Sequence, residues 1–180
     1  MREPLLFFNE AAAETIEAAT ARVFPSDELG AGAIEARVVI YIDRALAGPY
    51  ASLGELYRRA IAGLDAASQA RYGARFADLP PERQDSMLSA MEQGELADQG
   101  VPTGFMPLLV RHTREGMFCD PAHGGNRDLV GWRLLGYPGI HRVWHHEEQA
   151  IGAPIRPRPL TTVAEDRFGI DVRDKVREQG

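Results

Sequence analysis

The stretch from Ser52 to Leu64 constrains the fold more than any other part of the chain. Its apolar residues recur at helical spacing, at Leu53, Leu56, Tyr57, Ala60, Ile61 and Leu64. Residues three and four positions apart share one face of a helix, so the stretch predicts an amphipathic helix with one face in a core. Ser52 and Glu55 form the Ser-x-x-Glu pattern of a capping box, which predicts that this helix begins there.

Two further helices are predicted before this one. Asn9 is a suitable N-cap for a helix that runs to about Phe24, with Ile16, Val23 and Phe24 on one face. A second apolar stripe at helical spacing precedes Gly48-Pro49, which predicts the helix end. Its residues are Ile34, Val38, Val39, Ile42 and Leu46.

Two more helices are predicted after it. Pro80 and Pro81 open a helix that places Met87, Leu88 and Met91 inward, and residues 94–102 follow as a long polar loop. A fifth helix is predicted to start near Thr103. Its apolar side holds Phe105, Leu108, Leu109, His112 and Met117.

No stretch alternates apolar and polar residues as a strand does, so the predicted fold is mainly α, an irregular bundle of about five to six helices. Residues 118–140 are dense in glycine, proline and aromatic residues, and Pro154, Pro157 and Pro159 favour an extended tail. We therefore expect a helical domain at residues 1–150 and a proline-rich tail at residues 151–180. The tail is expected to lie across its own domain or across another surface.

Charge and cysteine content exclude several classes of function. The net charge of -6 opposes binding to a nucleic-acid backbone, which requires clustered cations. Cys119 is the single cysteine, so the chain has no internal disulfide, no Cys-x-x-Cys pair and no iron–sulfur cluster of its own. No apolar run reaches the roughly 18 residues that a membrane span needs, and no secretory signal is evident. As written, the chain is expected to be cytoplasmic.

Three arrangements in the sequence are candidates for catalysis or ligand binding. Gly124-Gly125 lacks the lysine and the hydroxyl residue of a phosphate loop, so a tight turn with positive φ explains it. His141 and His145 could supply two metal ligands from one helical face, or they could be a solvated polar run. Cys119 could be drawn as a nucleophile with His112 or His123, although His112 lies on an apolar stripe. None outweighs its structural explanation, so the residues favour a binding subunit, with a stand-alone metal-dependent enzyme as the alternative.

Residues 112–139 contain a long motif. It reads His-Thr-Arg-Glu-Gly-Met-Phe-Cys-Asp-Pro-Ala-His-Gly-Gly-Asn-Arg-Asp-Leu-Val-Gly-Trp-Arg-Leu-Leu-Gly-Tyr-Pro-Gly. The motif resembles the signature of the gluconate 2-dehydrogenase subunit 3 family, apart from His123, where the family usually has tyrosine. The agreement is looser at Val23-Phe24-Pro25 and over residues 39–50, and in all it spans about residues 10–140.

The resemblance implies a partner. That partner is a large FAD-binding subunit of the glucose–methanol–choline oxidoreductase family, which oxidises a sugar, sugar acid or polyol and passes electrons to a cytochrome or another acceptor. The small subunit stabilises or helps to export the large one, without a cofactor of its own. Family members usually begin with a twin-arginine signal, which implies a periplasmic location if this chain is processed or co-exported.

Residues 103–140 are expected to form the main docking surface. Asn126 and Arg127 would be presented on a glycine turn, and Trp132 and Tyr137 would be aromatic anchors. Arg127 and Arg133 could form bidentate pairs with partner carboxylates. The motif also adds His112 and Asp120 to the predicted partner-binding residues. For Trp132, the alternative to a docking role is a place in this domain's own core. For the chain as a whole, a free-standing interaction module is an alternative to a subunit of a complex.

Overall fold

The computed structural model describes residues 3–137, 146–154 and 160–163, and the regular structure within them is helical, without strands. This confirms the predicted mainly α fold. Six α-helices occur in the described residues, with short 3-10 turns in each connection after the second helix. They are α1 (Glu10–Val23), α2 (Val38–Ala47), α3 (Gly54–Tyr72), α4 (Pro81–Glu92), α5 (Phe105–Phe118) and α6 (Val130–Leu134).

Helix α1 begins as its sequence predicts. The Asn9 side chain accepts a hydrogen bond of 2.8 Å from the Ala12 amide, which satisfies one of the free N–H groups of the first turn. Ile16 is buried in the core, whereas Val23 and Phe24 are half-buried and pack against it. The predicted face of this helix is confirmed.

Helix α2 begins four residues later than predicted. Arg37 adopts a left-handed conformation with φ of 54°, so residues 33–37 form a separate turn and the helix starts at Val38. Ile34 is therefore not on the buried stripe, and its side chain is 53% exposed. Val38, Ile42 and Leu46 are buried as predicted.

The predicted capping box at Ser52 does not form. Residues Ala51–Leu53 make a 3-10 turn that leads directly into α3, so Ser52 lacks the extended conformation of an N-cap, and no side chain caps this helix. The amphipathic face is confirmed, because Tyr57, Ala60, Ile61 and Leu64 are buried, with Leu53 and Leu56 half-buried at its edge.

Helices α4 and α5 complete the core. Met87, Leu88 and Met91 of α4 are buried as predicted, but the connection to α5 is not a purely polar loop, because Leu96 and Val101 are also buried. Helix α5 packs against α1, α2 and α4, and α6 packs on α5. The largest fully buried apolar side chains are Tyr57, Phe76, Ile16, Ile42, Leu46, Met87, Leu96, Leu109 and Met117. In the described part of the chain, no helix has the length and apolar character that crossing a membrane requires.

Asp43, a fully buried carboxylate on α2, attaches the N-terminal arm to the bundle. Its Oδ2 accepts a hydrogen bond from the Leu6 amide at 2.7 Å, and its Oδ1 accepts from the amides of Phe7 at 3.0 Å and Phe8 at 2.8 Å. Three backbone N–H groups of an irregular segment are thus satisfied by one side chain. The arm lies on the bundle, with Phe8 in the core.

Candidate functional site

The segment formed by residues 112–137, called here the signature segment, turns back on the end of α5 and is fixed by Asn126. This residue is fully buried and has a left-handed backbone conformation. Its backbone N–H donates a hydrogen bond to the Gly116 carbonyl at 2.8 Å. Its side-chain Nδ2 donates to the Cys119 carbonyl at 2.8 Å, and its Oδ1 accepts from the Gly131 amide at 2.9 Å. Asn126 was predicted to be exposed to a partner, but it instead binds Gly116, Cys119 and Gly131 of its own segment.

The glycines of the signature segment have two different roles. Gly124 has φ of 99°, which confirms the predicted tight turn. Gly125 has an ordinary φ, but a Cβ there would overlap the Gly116 carbonyl oxygen. A Cβ at Gly131 would likewise overlap the Met117 carbonyl oxygen. The absence of side chains at these two positions lets the returning chain pack directly on the backbone of α5.

The two aromatic residues predicted as anchors lie in different environments. Trp132 is 6% exposed, and its Nε1 donates to the Phe118 carbonyl at 2.9 Å, so it packs within its own domain. Tyr137 is 40% exposed and meets the Trp132 ring edge to face, with 4.9 Å between centroids. Of the pair, Tyr137 is the one that presents an aromatic surface to solvent.

The two predicted arginines also differ. Arg127 is half-exposed and forms an ion pair of 3.0 Å with Glu3. The same carboxylate also pairs with Arg44 at 2.7 Å and with Arg37 at 3.4 Å. Arg133 is exposed on α6, and within the described ranges it forms no ion pair. Arg133 is therefore the better placed of the two for a partner carboxylate.

His112 is a buried residue of the core side of α5. The Tyr57 hydroxyl lies 2.8 Å from its Nδ1, and the Tyr50 ring stacks on the imidazole with 4.7 Å between centroids. Its Nε2 is buried without a hydrogen-bond partner among the described residues. Burial lowers the pKa of His112, which favours the neutral imidazole.

Glu115 organises a polar cluster next to His112. It accepts hydrogen bonds from the Tyr41 hydroxyl at 2.8 Å, from the Tyr50 hydroxyl at 3.1 Å and from Arg111 Nε at 2.8 Å. Burial alone raises the pKa of Glu115, but the bonds from Arg111, Tyr41 and Tyr50 outweigh it and lower the pKa below its usual range. The site therefore holds an ionised carboxylate.

This cluster forms one wall of a cavity of about 500 Å³. Tyr41 and Tyr50 come from the stretch of looser resemblance at residues 39–50, whereas Glu115, Cys119 and His123 come from the signature segment. The two stretches are far apart in the sequence, and the fold brings them together at this cavity. Sequence reasoning missed the tyrosine–glutamate cluster, because its partners are contributed by α2, the segment after it and α5.

Of the two alternative sites, only the one at Cys119 lies within the described residues. Burial raises the pKa of Cys119 to about 11, so the thiol is protonated at neutral pH and is a weak nucleophile. Across residues 3–137, 146–154 and 160–163, no group of three or more His, Cys, Asp or Glu side chains could hold a metal ion. His141 and His145 lie outside the described residues.

Asp120 connects the signature segment to part of the tail. Its Oδ1 accepts from the Ala122 amide at 2.9 Å, which caps the turn Pro121–His123, and its Oδ2 accepts from the Val163 amide at 2.7 Å. Residues 160–163 are half-buried, whereas residues 146–154 are mostly exposed. Residues 160–163 thus lie across their own domain.

Exposed apolar side chains gather around α6. Leu135 is 63% exposed and Leu29 is 79% exposed. The turn that holds Leu29 packs on α6, because a Cβ at Gly30 would lie 3.1 Å from Leu134 Cδ1. We call Leu29, Arg133, Leu135 and Tyr137 the α6 surface. Grouped apolar side chains with an arginine are typical of a protein–protein interface.

The fold and the site define a small all-α domain that combines an internally fixed surface segment with an exposed apolar patch. A model of the family described as gluconate 2-dehydrogenase subunit 3 matches residues 10–139, and the chain belongs to this family. The match confirms the resemblance found in the motif, and the family's description is consistent with an accessory subunit of a dehydrogenase complex. Searches of curated proteins and of solved structures each found no match.

Proposed function

We propose that this chain is a non-catalytic small subunit that binds and stabilises a large FAD-containing dehydrogenase of the glucose–methanol–choline type. The membership of residues 10–139 in a family of dehydrogenase subunits supports this proposal. In the proposed complex, the large subunit holds FAD and oxidises the CH–OH group of a sugar, sugar acid or polyol. This chain binds no cofactor in that complex. A cytochrome is the proposed electron acceptor.

The α6 surface is the observation that carries the proposal. Apart from Leu29, it is formed on a segment that Asn126, Gly125 and Gly131 hold against α5, so the shape of this part is set before a partner binds. A preorganised surface loses little conformational entropy on association. Leu135 and Tyr137 supply apolar area, and Arg133 supplies a bidentate donor for a carboxylate.

Binding through this surface would stabilise the large subunit by mass action. A partner that binds the folded state and not the unfolded state raises the free energy of unfolding by an amount that grows with partner concentration. The large subunit would also bury apolar surface that otherwise favours its aggregation. The proposed role therefore needs no catalytic residue in this chain.

Co-expression tests the proposal. A tagged form of this chain is produced together with the flavoprotein encoded nearest to it, and the purified material is measured for flavin absorbance and for dye reduction with a panel of sugars. We expect a yellow, active complex that depends on this chain. A chain that is folded, colourless and alone would contradict the proposal.

A matched pair of variants locates the interface. Leu135→Asp places a charge on the α6 surface, and we expect it to reduce the retained flavin about tenfold or more, because a charge would be buried in an apolar contact. Leu6→Asp is the control, since Leu6 is 65% exposed and Leu135 is 63% exposed, but Leu6 lies on the N-terminal arm. Equal flavin retention by the two variants would exclude the α6 surface as the interface.

A further inference from the structure

A second surface, distinct from the α6 surface, is an open groove of about 940 Å³ between α1 and the start of α2. Its floor is apolar and includes Ala13, Val39 and Ile40, and Ile34 stands at its side with 53% of its surface exposed. Ile34 is exposed because the left-handed Arg37 separates its turn from α2. An apolar strip of this kind has the form of a binding groove for an extended or helical segment.

Acidic residues line the groove on more than one side. Glu10, Glu14 and Glu17 occupy one face of α1 at positions i, i+4 and i+7, which spans about 10 Å at 1.5 Å per residue. Glu35 and Asp128 lie on the other walls. The arginines that line the groove, Arg37 and Arg127, are both ion-paired to Glu3, and Arg127 also pairs with Asp128 at 3.6 Å.

The charge pattern determines which partner fits. An apolar floor between acidic walls complements a segment with one apolar stripe flanked by arginine or lysine, because the stripe is removed from water while the cations meet carboxylates. A nucleic acid or an acidic peptide would be repelled by the same walls. The groove is therefore complementary to a basic amphipathic segment of a protein.

We propose that the α1–α2 groove binds a basic amphipathic segment of the large subunit, as a second contact beside the α6 surface. This inference rests on the proposed function for its choice of partner. Two separate contacts within one complex raise the overall affinity beyond either one, provided that both can be engaged at once. The groove contact adds affinity that decreases as the salt concentration rises.

The test replaces three groove acids by their amides. The groove variant combines three substitutions, Glu10→Gln, Glu17→Gln and Asp128→Asn. Each new side chain has nearly the same size as the old one, and asparagine tolerates the left-handed conformation of residue 128, where φ is 55°. Glu14 and Glu35 are left unchanged, since their contacts with Arg75 at 2.8 Å and with Ser26 at 2.6 Å are closer than the 3.6 Å pair of Asp128 with Arg127. A control variant removes the same number of charges from exposed positions elsewhere, by Glu55→Gln, Glu92→Gln and Asp98→Asn.

Dissociation constants for the large subunit are measured at about 50 mM and at about 500 mM salt, with helical content and thermal unfolding as folding checks. We expect the groove variant to bind about tenfold more weakly at low salt and near wild-type at high salt, with the control unchanged. If the groove and control variants bind alike, this inference is overturned while the proposed function stands. If the wild-type chain retains no flavoprotein, the proposed function fails and this inference fails with it.

Discussion

At the scale of single residues, two buried polar side chains, Asp43 and Asn126, fix the irregular parts of the chain. Each forms hydrogen bonds with backbone groups that have no partner within a helix. Asp43 does so in the N-terminal arm, and Asn126 does so in the signature segment. Buried polar groups of this kind are costly to remove, because their partners lose their hydrogen bonds without gaining water. They hold segments in place that have little core of their own.

Asp43→Ala is expected to lower the free energy of unfolding by about 3 kcal/mol, since three backbone N–H groups lose their acceptor. Asp43→Asn should have a smaller effect, because it keeps one acceptor oxygen. Urea unfolding measures both. Asp98→Ala, at an exposed position, is the control and should change stability by less than about 0.5 kcal/mol. Equal stability of Asp43→Ala and the control would contradict this role.

His112 gives stability a defined pH dependence. Burial lowers the pKa of His112 in the folded state, whereas the unfolded chain takes up a proton near the usual value of 6.5. Stability is therefore expected to decrease as the pH falls below about 6.5, because the unfolded state then binds more protons than the folded state.

The variant His112→Gln tests this pH dependence, since glutamine does not titrate and can still bond to the Tyr57 hydroxyl. Unfolding free energies are compared at about pH 8 and about pH 5.5. The wild-type chain should lose more stability between these two values than the variant does. The same loss in both proteins would show that other groups cause the pH dependence.

At the scale of secondary-structure elements, periodicity predicted which stretches are helical, and local backbone conformation decided where they begin. The stripe that includes Val38, Ile42 and Leu46 was correctly placed on a helix, but the left-handed Arg37 excluded Ile34 from it. The Ser52 pattern did not cap α3, because a 3-10 turn occupies residues 51–53. Both errors concern helix starts, where the chain before the helix has its own tertiary contacts.

The packing of α6 on α5 depends on the absence of a side chain at Gly131. Gly131→Ala is expected to destabilise the domain by about 3 kcal/mol or more, since its Cβ would overlap the Met117 carbonyl oxygen and backbone cannot move aside cheaply. Gly73→Ala is the comparison, because Gly73 has φ of 75° and open space around it, so only the conformational cost of about 1 kcal/mol applies. Thermal unfolding ranks the two, and a smaller effect at Gly131 would contradict the close packing.

At the scale of the whole molecule, both ends of the described chain are attached to the bundle through carboxylates. Asp43 binds residues 6–8, and Asp120 binds Val163. The proline-rich composition left open whether the tail lies on its own domain or on another surface. The contact at Asp120 places residues 160–163 on the domain, and Asp120 directly follows Cys119 of the cavity wall.

Hydrogen exchange tests this attachment. In Asp120→Ala the amide of Val163 loses its acceptor, and we expect its exchange to become about fivefold faster, in line with a net hydrogen bond of about 1 kcal/mol. Asp98→Ala should leave the exchange at Val163 unchanged. An amide at Val163 that already exchanges at the rate of an open chain in the wild-type protein would contradict the contact.

The candidate site was predictable in its location but not in the role of each residue. The motif at residues 112–139 indicated the family, and the family match over residues 10–139 confirmed that membership. Nothing in the motif distinguishes the buried Trp132 and Asn126 from the exposed Arg133 and Tyr137, because aromatic and polar residues with the same spacing occur in cores and in interfaces. The docking role of these residues stays a prediction.

The sequence by itself determined the helical class of the fold, most of the buried faces and the family, because helical periodicity and a long motif are local properties of the chain. Tertiary structure decided the α1–α2 groove, the tyrosine–glutamate cluster and the α6 surface. Each of these combines residues that are far apart in sequence, as when Tyr41 and Tyr50 both bond to Glu115. Such contacts depend on how the helices pack, and packing is a property of the whole chain that no single segment encodes.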